Sequence, residues 1–228
     1  MDEPDKPHFH GHRQRLRERF RRAGAAALDD HELVELLLYA AIPRRDVKPL
    51  AKALCARFGG YAGVLSAGRG ELARVEGLGD VAIDVLLSVR EAAVRLARED
   101  AMAAPVLSGW QKVLDYVRAD MARRPTEHFR LLFLDKRNRL IHDEVHQAGT
   151  VDHAPVYPRE VAKRCLELGA TAVILVHNHP SGDPEPSRAD IDITRDIAKA
   201  LAAIGVAVHD HLVVGRRGHA SFKGMGLL

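Results

Sequence analysis

The sequence predicts a chain in two parts, a small all-helical region followed by an α/β domain whose mixed sheet is flanked by helices. Three observations predict it. Up to about residue 104 the apolar residues recur at helical spacing, whereas beyond Pro105 short β-rich runs alternate with helical ones. One of those runs, "TAVIL", is apolar throughout, as a strand covered on both faces would be. With 228 residues, 46% of them hydrophobic, the chain can bury a core in each part. The division is expected at residues 1–104 and 105–228, where the charged "RED" gives way to small residues and Pro105.

In the first part, "DDHELVELLLYAAI" opens with Asp29 three places before Glu32, the spacing of a capping box. Leu33, Leu36, Leu37 and Ala40 then repeat at helical intervals until Pro43. A second helix is expected from Asp46 to Phe58, terminated by Gly59 and Gly60. In "ELARVEGLGDVAIDVLLSVREAAVRLA" the residues Gly77, Leu78 and Gly79 join a short helix to a long one. This stretch resembles a helix-hairpin-helix, a module whose glycines let backbone amides approach a DNA phosphate. Ile83 departs from that pattern, which has a small residue at its position.

In the second part a helix is expected from about Gly109 to Ala122. Strands "FRLLFLD" and "RLIHDEV" follow, joined by Lys136, Arg137 and Asn138. "YPREVAKRCLEL" reads as a helix, "TAVILVH" as the central strand, "SRADIDITRDIAKALAAI" as a long helix and "VAVHDHLVVG" as the last strand.

Composition excludes several classes. No apolar run approaches the roughly 20 residues of a membrane helix, and the first residues lack the apolar centre of a signal peptide, so a cytoplasmic protein without membrane contact is expected. Cys55 and Cys165 stand far apart, in no metal or redox spacing, and are expected to be small buried hydrophobes. A net charge of +3 says little about partners, but its distribution says more. Between His8 and Arg22 lie Arg13, Arg15, Arg17, Arg19, Arg21 and Arg22 against Glu18 alone, a run that either follows a phosphate backbone or is a solvated helix end.

The chemistry concentrates in "VHNHPSGDPEPSRAD". Residues i and i+2 of a strand point to one side, so His177 and His179, ending a buried strand, project together and can face one metal. The segment "PSGDPEP", stiffened by proline and turned by Gly182, delivers Ser187 to the start of the next helix and Asp190 one turn on. Two imidazoles and a carboxylate with a fourth position open suit catalytic Zn2+. A capping box alone explains Ser187 and Asp190 but does not call for the histidines. Ser187 is expected to cap the helix while its hydroxyl faces the reacting oxygen.

"HNHPSGDPEPSRAD" resembles the JAMM (MPN+) metallopeptidase motif, His-x-His-Pro followed by Ser-x-x-Asp, filled here by His177, His179, Pro180, Ser187 and Asp190. With "RDVKPLAKAL", "VEGLGDVAI", "GTVDHAPVYPREV" and "HDHLVVG", the chain is similar to RadC-like proteins over most of its length. The resemblance implies an α/β JAMM domain binding one zinc, preceded by a helical region of helix-hairpin-helix type. It also implies a peptidase or isopeptidase in which a distant glutamate is the general base. By resemblance that glutamate is Glu127, in "RRPTEHFRLLFLD"; Glu144, in "IHDEVHQAG", is the second choice. His209 and His211 form another His-x-His without a carboxylate at matching spacing, and are expected to be structural or to orient a ligand.

The literal "HNH" lacks the dispersed residues of HNH nucleases, and the His-x-Glu and Pro-Cys-x-x-Cys of zinc deaminases do not occur. Three functions remain. The first is a zinc metallohydrolase acting on a protein or peptide. The second is a DNA-associated repair or recombination accessory protein, holding DNA through Gly77 and Gly79. The third is a structural interaction module, which the complete ligand set disfavours.

Overall fold

The computed structural model describes residues 11–106, 108–148 and 156–228; His8 to His10 of the arginine-rich run and Gly149 to Pro155 lie outside the described residues. The chain forms two compact units, residues 1–92 and 93–228.

The described part of the first unit is helical: α1 (His12–Ala23), α2 (Asp30–Ala41), α3 (Lys48–Phe58), α4 (Tyr61–Ser66), α5 (Arg69–Leu72) and the start of α6 (Asp80–Met102). The expected capping box opens α2: Asp29 N donates to Glu32 Oε2 at 3.0 Å. Gly59, left-handed at φ 78°, ends α3. The buried face of α2 is not the Leu33, Leu36, Leu37, Ala40 stripe. Val34, Glu35, Leu38 and Tyr39 are covered, while Ala40 is exposed. The cause is α1, a full helix rather than a solvated end, whose polar contacts line up along that face. His12 Nε2 lies 2.8 Å from Glu35 Oε2, Arg19 pairs with Glu32, and Arg13 lies over the Tyr39 ring at 4.5 Å. Arg13 also donates to the carbonyl of Ile42 at 2.6 Å. Arg13 and Arg19 thus fasten one helix to the next.

Gly77 (φ 81°) turns the chain between α5 and α6. Both Ala82 and Ile83 are buried in the core with Leu54, Val64, Leu72 and Leu86. The larger Ile83 is accommodated by the core instead of by a close helix crossing. α6 continues past residue 92, where Val94, Ala97, Ala101 and Met102 join the core of the second unit; Pro105 follows its end.

The second unit is a five-stranded sheet, ordered β2-β1-β3-β4-β5, made by β1 (His128–Leu134), β2 (Leu140–Ala148), β3 (Ala172–Asn178), β4 (Ala207–Gly215) and β5 (Gly218–Ser221). β3 is central, antiparallel to β1 and parallel to β4. β5 was not expected; the two residues Arg216 and Arg217 turn the chain into this four-residue strand, too short to show alternation. One face carries Leu132, Leu134, Ile174, Val176, Leu212 and Val214 against α7 (Trp110–Met121). The other carries Leu131, Phe133, Val173 and Leu175 against α8 (Pro158–Leu168) and α9 (Arg188–Ala202). All seven residues of β3 are buried, which accounts for its unbroken apolar run. At about 1.5–3 kcal/mol per buried aliphatic side chain, this strand anchors whatever is mounted on its end.

On the α7 face a buried charge network ties β1 to β2. Arg130 donates to Asp120 Oδ2 and Asp143 Oδ2, each at 2.5 Å, and Tyr116 donates to Asp143 Oδ2 at 2.5 Å. Among the described residues no helix is long and apolar enough to cross a membrane.

Candidate metal centre

The end of β3 and the first turn of α9 bring His177, His179 and Asp190 together, their ligand atoms all within 4.8 Å of one another. His177 Nε2 lies 3.0 Å from His179 Nε2 and 3.3 Å from Asp190 Oδ1; His179 Nε2 lies 3.5 Å from Asp190 Oδ2. His177 is 1% exposed, whereas the other two side chains keep 18% and 15% of their surface open. The cluster therefore has a sealed inner side and a solvent side.

The loop between strand and helix is fixed at several points. His179 N donates to Val214 O at 3.0 Å, and Gly182 N to His179 O at 2.9 Å. Gly182 adopts φ 89°, and a Cβ on Gly215 would sit 2.4 Å from the Gly182 carbonyl oxygen, so two glycine backbones touch here. Arg217 pairs with Asp183 at 2.8 Å. At the loop's far end Ser187 N donates to Asp190 Oδ2 at 2.6 Å and Asp190 N to Ser187 Oγ at 3.2 Å, a complete capping box.

Proton positions test whether these residues fit a metal. His179 Nδ1 lies 2.8 Å from the Asp183 carbonyl, which can only accept. In the neutral ring the proton therefore sits on Nδ1, and Nε2 turns a lone pair toward His177 and the Asp190 carboxylate; a second proton on Nε2 would be donated to Asp190. Acceptors converging in this way repel unless a cation lies among them. The 3.0 Å between the two Nε2 atoms, and the 3.3 and 3.5 Å from them to Asp190 Oδ1 and Oδ2, lie near the roughly 3.3 Å separating ligands of a tetrahedral zinc with bonds of about 2.0–2.1 Å. The residues fit zinc. Burial would raise the Asp190 pKa, but the His177 and His179 imidazoles beside it outweigh that and hold the carboxyl well below the ordinary range. The hydrogen bond to Asp190, opposed by burial, raises the His179 pKa.

The two glutamates sit differently. Phe129 pairs with His177 across the β1–β3 ladder, so continuing the ladder sets Glu127 opposite His179 on the same face. Glu127 is half-buried, and its charge contributes to raising the His179 pKa. Its backbone is held by Asn178, the residue between the two histidines: Asn178 Nδ2 donates to Thr126 O at 3.0 Å, and His128 N donates to Asn178 Oδ1 at 2.9 Å. Glu144 pairs with Leu131 and turns toward α8, where Arg164 grips both carboxylate oxygens at 2.9 and 2.7 Å. That hydrogen bonding lowers the Glu144 pKa.

Two families match the chain: the RadC-like JAB domain over residues 107–227, and the UPF0758 N-terminal family over residues 10–83. The chain belongs to the RadC-like family. Its JAB domain carries the His-x-His, Ser and Asp positions discussed above, and the whole cluster lies inside the matched range. Two features of this RadC-like site went unnoticed in the sequence, the Asn178 clamp and Thr194; of the second His-x-His, expected to be structural or to orient a ligand, His211 contacts His177. A further acidic group, Asp29, His31 and Glu32, opens α2, but its carboxylates serve the helix cap and Arg19.

Proposed function

We propose that this RadC-like chain is a zinc-dependent hydrolase that cuts a peptide or isopeptide bond, with His177, His179 and Asp190 holding the metal. The observation that carries the reading is the convergence of three acceptor groups at an open strand end; extending the β1–β3 register by two residues sets Glu127 opposite His179. When bound, zinc supplies Lewis acidity at neutral pH. Glu127 takes the proton of the attacking water and returns it to the leaving amine. Ser187 Oγ accepts from Asp190 N, which leaves its own proton to donate to the developing oxyanion. Asn178 keeps the backbone of Glu127 at one distance from the ligands.

The test pairs metal content with hydrolysis of a peptide library and of lysine-isopeptide-linked peptides. Glu127→Gln should keep zinc and lose roughly 10²–10⁴ in rate. Glu144→Gln should lose little. A parent protein free of zinc at saturating metal, or an undiminished Glu127→Gln, would refute the reading.

A second reading, nucleic-acid contact by the first unit, is favoured by one observation: the Arg45 guanidinium lies 3.2 Å from where a Gly77 Cβ would stand and donates to Gly77 O at 2.6 Å. Gly79 lies in open space at the same turn. Asp80 and Asp84 compensate Arg69 beside it, so the turn is not strongly cationic. Duplex binding by the full chain, weakening steeply with salt, would support this reading; no binding at low salt would remove it.

A further inference from the structure

The second His-x-His pair is split by a defect in the sheet. In the β3–β4 ladder Val173 pairs with Val208, but Ile174 pairs with Asp210, so His209 is the extra residue of a β-bulge. The bulge reverses the alternation. Val208 lies against the core beneath α8 and α9, and in an unbroken strand His211 would face the opposite side, toward α7. With the bulge, His211 pairs with Leu175 and its Nε2 comes 2.8 Å from His177 Nδ1. His209 instead lies 2.6 Å from Asn138 Oδ1, at the β1–β2 turn.

His211 is completely buried and held between rings. Phe222 stacks on it at 4.6 Å and Phe129 meets it edge-on at 5.5 Å. Its Nδ1 lies 2.6 Å from Thr194 Oγ, which lies 2.5 Å from the Asp190 carbonyl. These contacts fix every proton in turn. The carbonyl only accepts, so the Thr194 hydroxyl donates to it and receives the proton on His211 Nδ1. His211 Nε2 is then a lone pair, and His177 must donate from Nδ1. His177 Nε2 is left bare, facing His179 and Asp190.

We propose that His211, oriented by Thr194, is a positioning residue that keeps the His177 proton on Nδ1 and so presents Nε2 to the metal. The proposal rests on reading His177, His179 and Asp190 as a metal site. Were His211 to turn a protonated Nε2 toward His177 instead, His177 Nδ1 would have to accept, its own proton would move to Nε2, and the ligand would be lost. The relay also closes on itself, because Thr194 bonds to the backbone of Asp190, so one chain of contacts orients the first ligand and the helical turn that carries the third.

The test compares His211→Leu, which removes the acceptor at similar volume, with His211→Gln, whose amide oxygen can accept from His177. Zinc affinity, measured by chelator competition, should fall roughly 10–100-fold in the leucine variant, the usual cost of losing a partner behind a metal ligand, and recover in the glutamine variant. In zinc-free protein, ¹⁵N spectra should show His177 protonated on Nδ1 in the parent and the glutamine variant, and on Nε2 in the leucine variant. Unchanged affinity in the leucine variant, a glutamine variant no better than it, or a parent His177 without a proton on Nδ1 would overturn the proposal. If His211→Leu does not fold, Thr194→Val, which frees the His211 tautomer, carries the same comparison. A parent that binds no zinc would sink the metal reading, while the ¹⁵N spectra would still decide the direction of the His177–His211 bond.

Discussion

Asp190 is expected to do two separable things, and two substitutions divide them. One oxygen, Oδ2, accepts from Ser187 N at 2.6 Å and completes the cap of α9; the carboxylate as a whole faces the two imidazoles at 3.3 and 3.5 Å. Asp190→Ala removes both functions. Loss of a reciprocal cap costs about 0.5–2 kcal/mol, and loss of a negative charge in the first helical turn about 0.3–1 kcal/mol more. Asp190→Asn keeps an oxygen able to accept from Ser187 N, so metal-free Asn protein should recover roughly half of that loss. Neither variant should bind zinc as the parent does. Losing a partner behind a ligand already costs roughly 10–100-fold, and losing a ligand should exceed the upper figure. The assay is thermal unfolding with and without zinc. At free metal a hundredfold above its Kd, the parent gains about 2.7 kcal/mol, and both variants should gain almost nothing. Zinc stabilisation of Asp190→Asn equal to the parent's would refute the ligand assignment. Metal-free Asp190→Ala as stable as the parent would refute the cap.

Three further outcomes follow from the geometry. Arg130→Leu removes the partner that Asp120 and Asp143 share but leaves Asp120 to Arg124 and Asp143 to Arg98 and Tyr116, and should destabilise the second unit by about 1–3 kcal/mol, read by denaturant unfolding. Gly215→Ala drives a methyl group to 2.4 Å from the Gly182 carbonyl oxygen and should cost about 1–3 kcal/mol while weakening zinc binding, whereas Gly70→Ala, with nothing within 4 Å, should change neither. The pH dependence should run in opposite directions for two observables. Asp190 raises the His179 pKa, so in metal-free protein this pair contributes its full stability below pH 6.5 and loses it as pH rises through the raised pKa. The low-pH limit is set by Asp190, whose depressed pKa removes the contribution only well below pH 3.8. Zinc must displace the same His179 proton, so its affinity should rise over the range where the metal-free melting temperature falls. Calorimetric titrations at several pH values, beside melting curves, check both.

Much of the site was legible because its residues are close in sequence and each obeys a local rule. His177 and His179 share a side by strand alternation, and Ser187 and Asp190 share a helix cap. The central place of "TAVIL" was legible as well, since an unbroken apolar run marks a strand covered on both faces. Glu127 and Glu144 were not separable by such rules. Glu127 just precedes β1 and Glu144 lies on β2, and what sets Glu144 apart is Arg164, a residue twenty positions from it on a helix whose packing no local pattern records. The arginine run of α1 divides. Arg15, Arg17, Arg21 and Arg22 are exposed, as a solvated face is, while Arg13 and Arg19 are held by a carbonyl at the end of α2 and by Glu32, partners that exist only once the helices dock.

His211 shows where such rules stop. Strand alternation in "VAVHDHLVVG" sets His209 and His211 on one side, and either could be assigned to the site or to the surface. A single extra residue, absorbed at His209, sends the two histidines to different partners. A bulge in one of two parallel strands leaves no signature in composition, because it depends on the register of β3 beside it. Yet that register is what turns His211 toward His177, and on the proposal above the His177 proton in turn decides whether three converging side chains are ligands or merely neighbours. For a metal site at a strand end, the ligand motif therefore supplies the atoms, while the sheet register supplies the protonation state that makes those atoms able to bind.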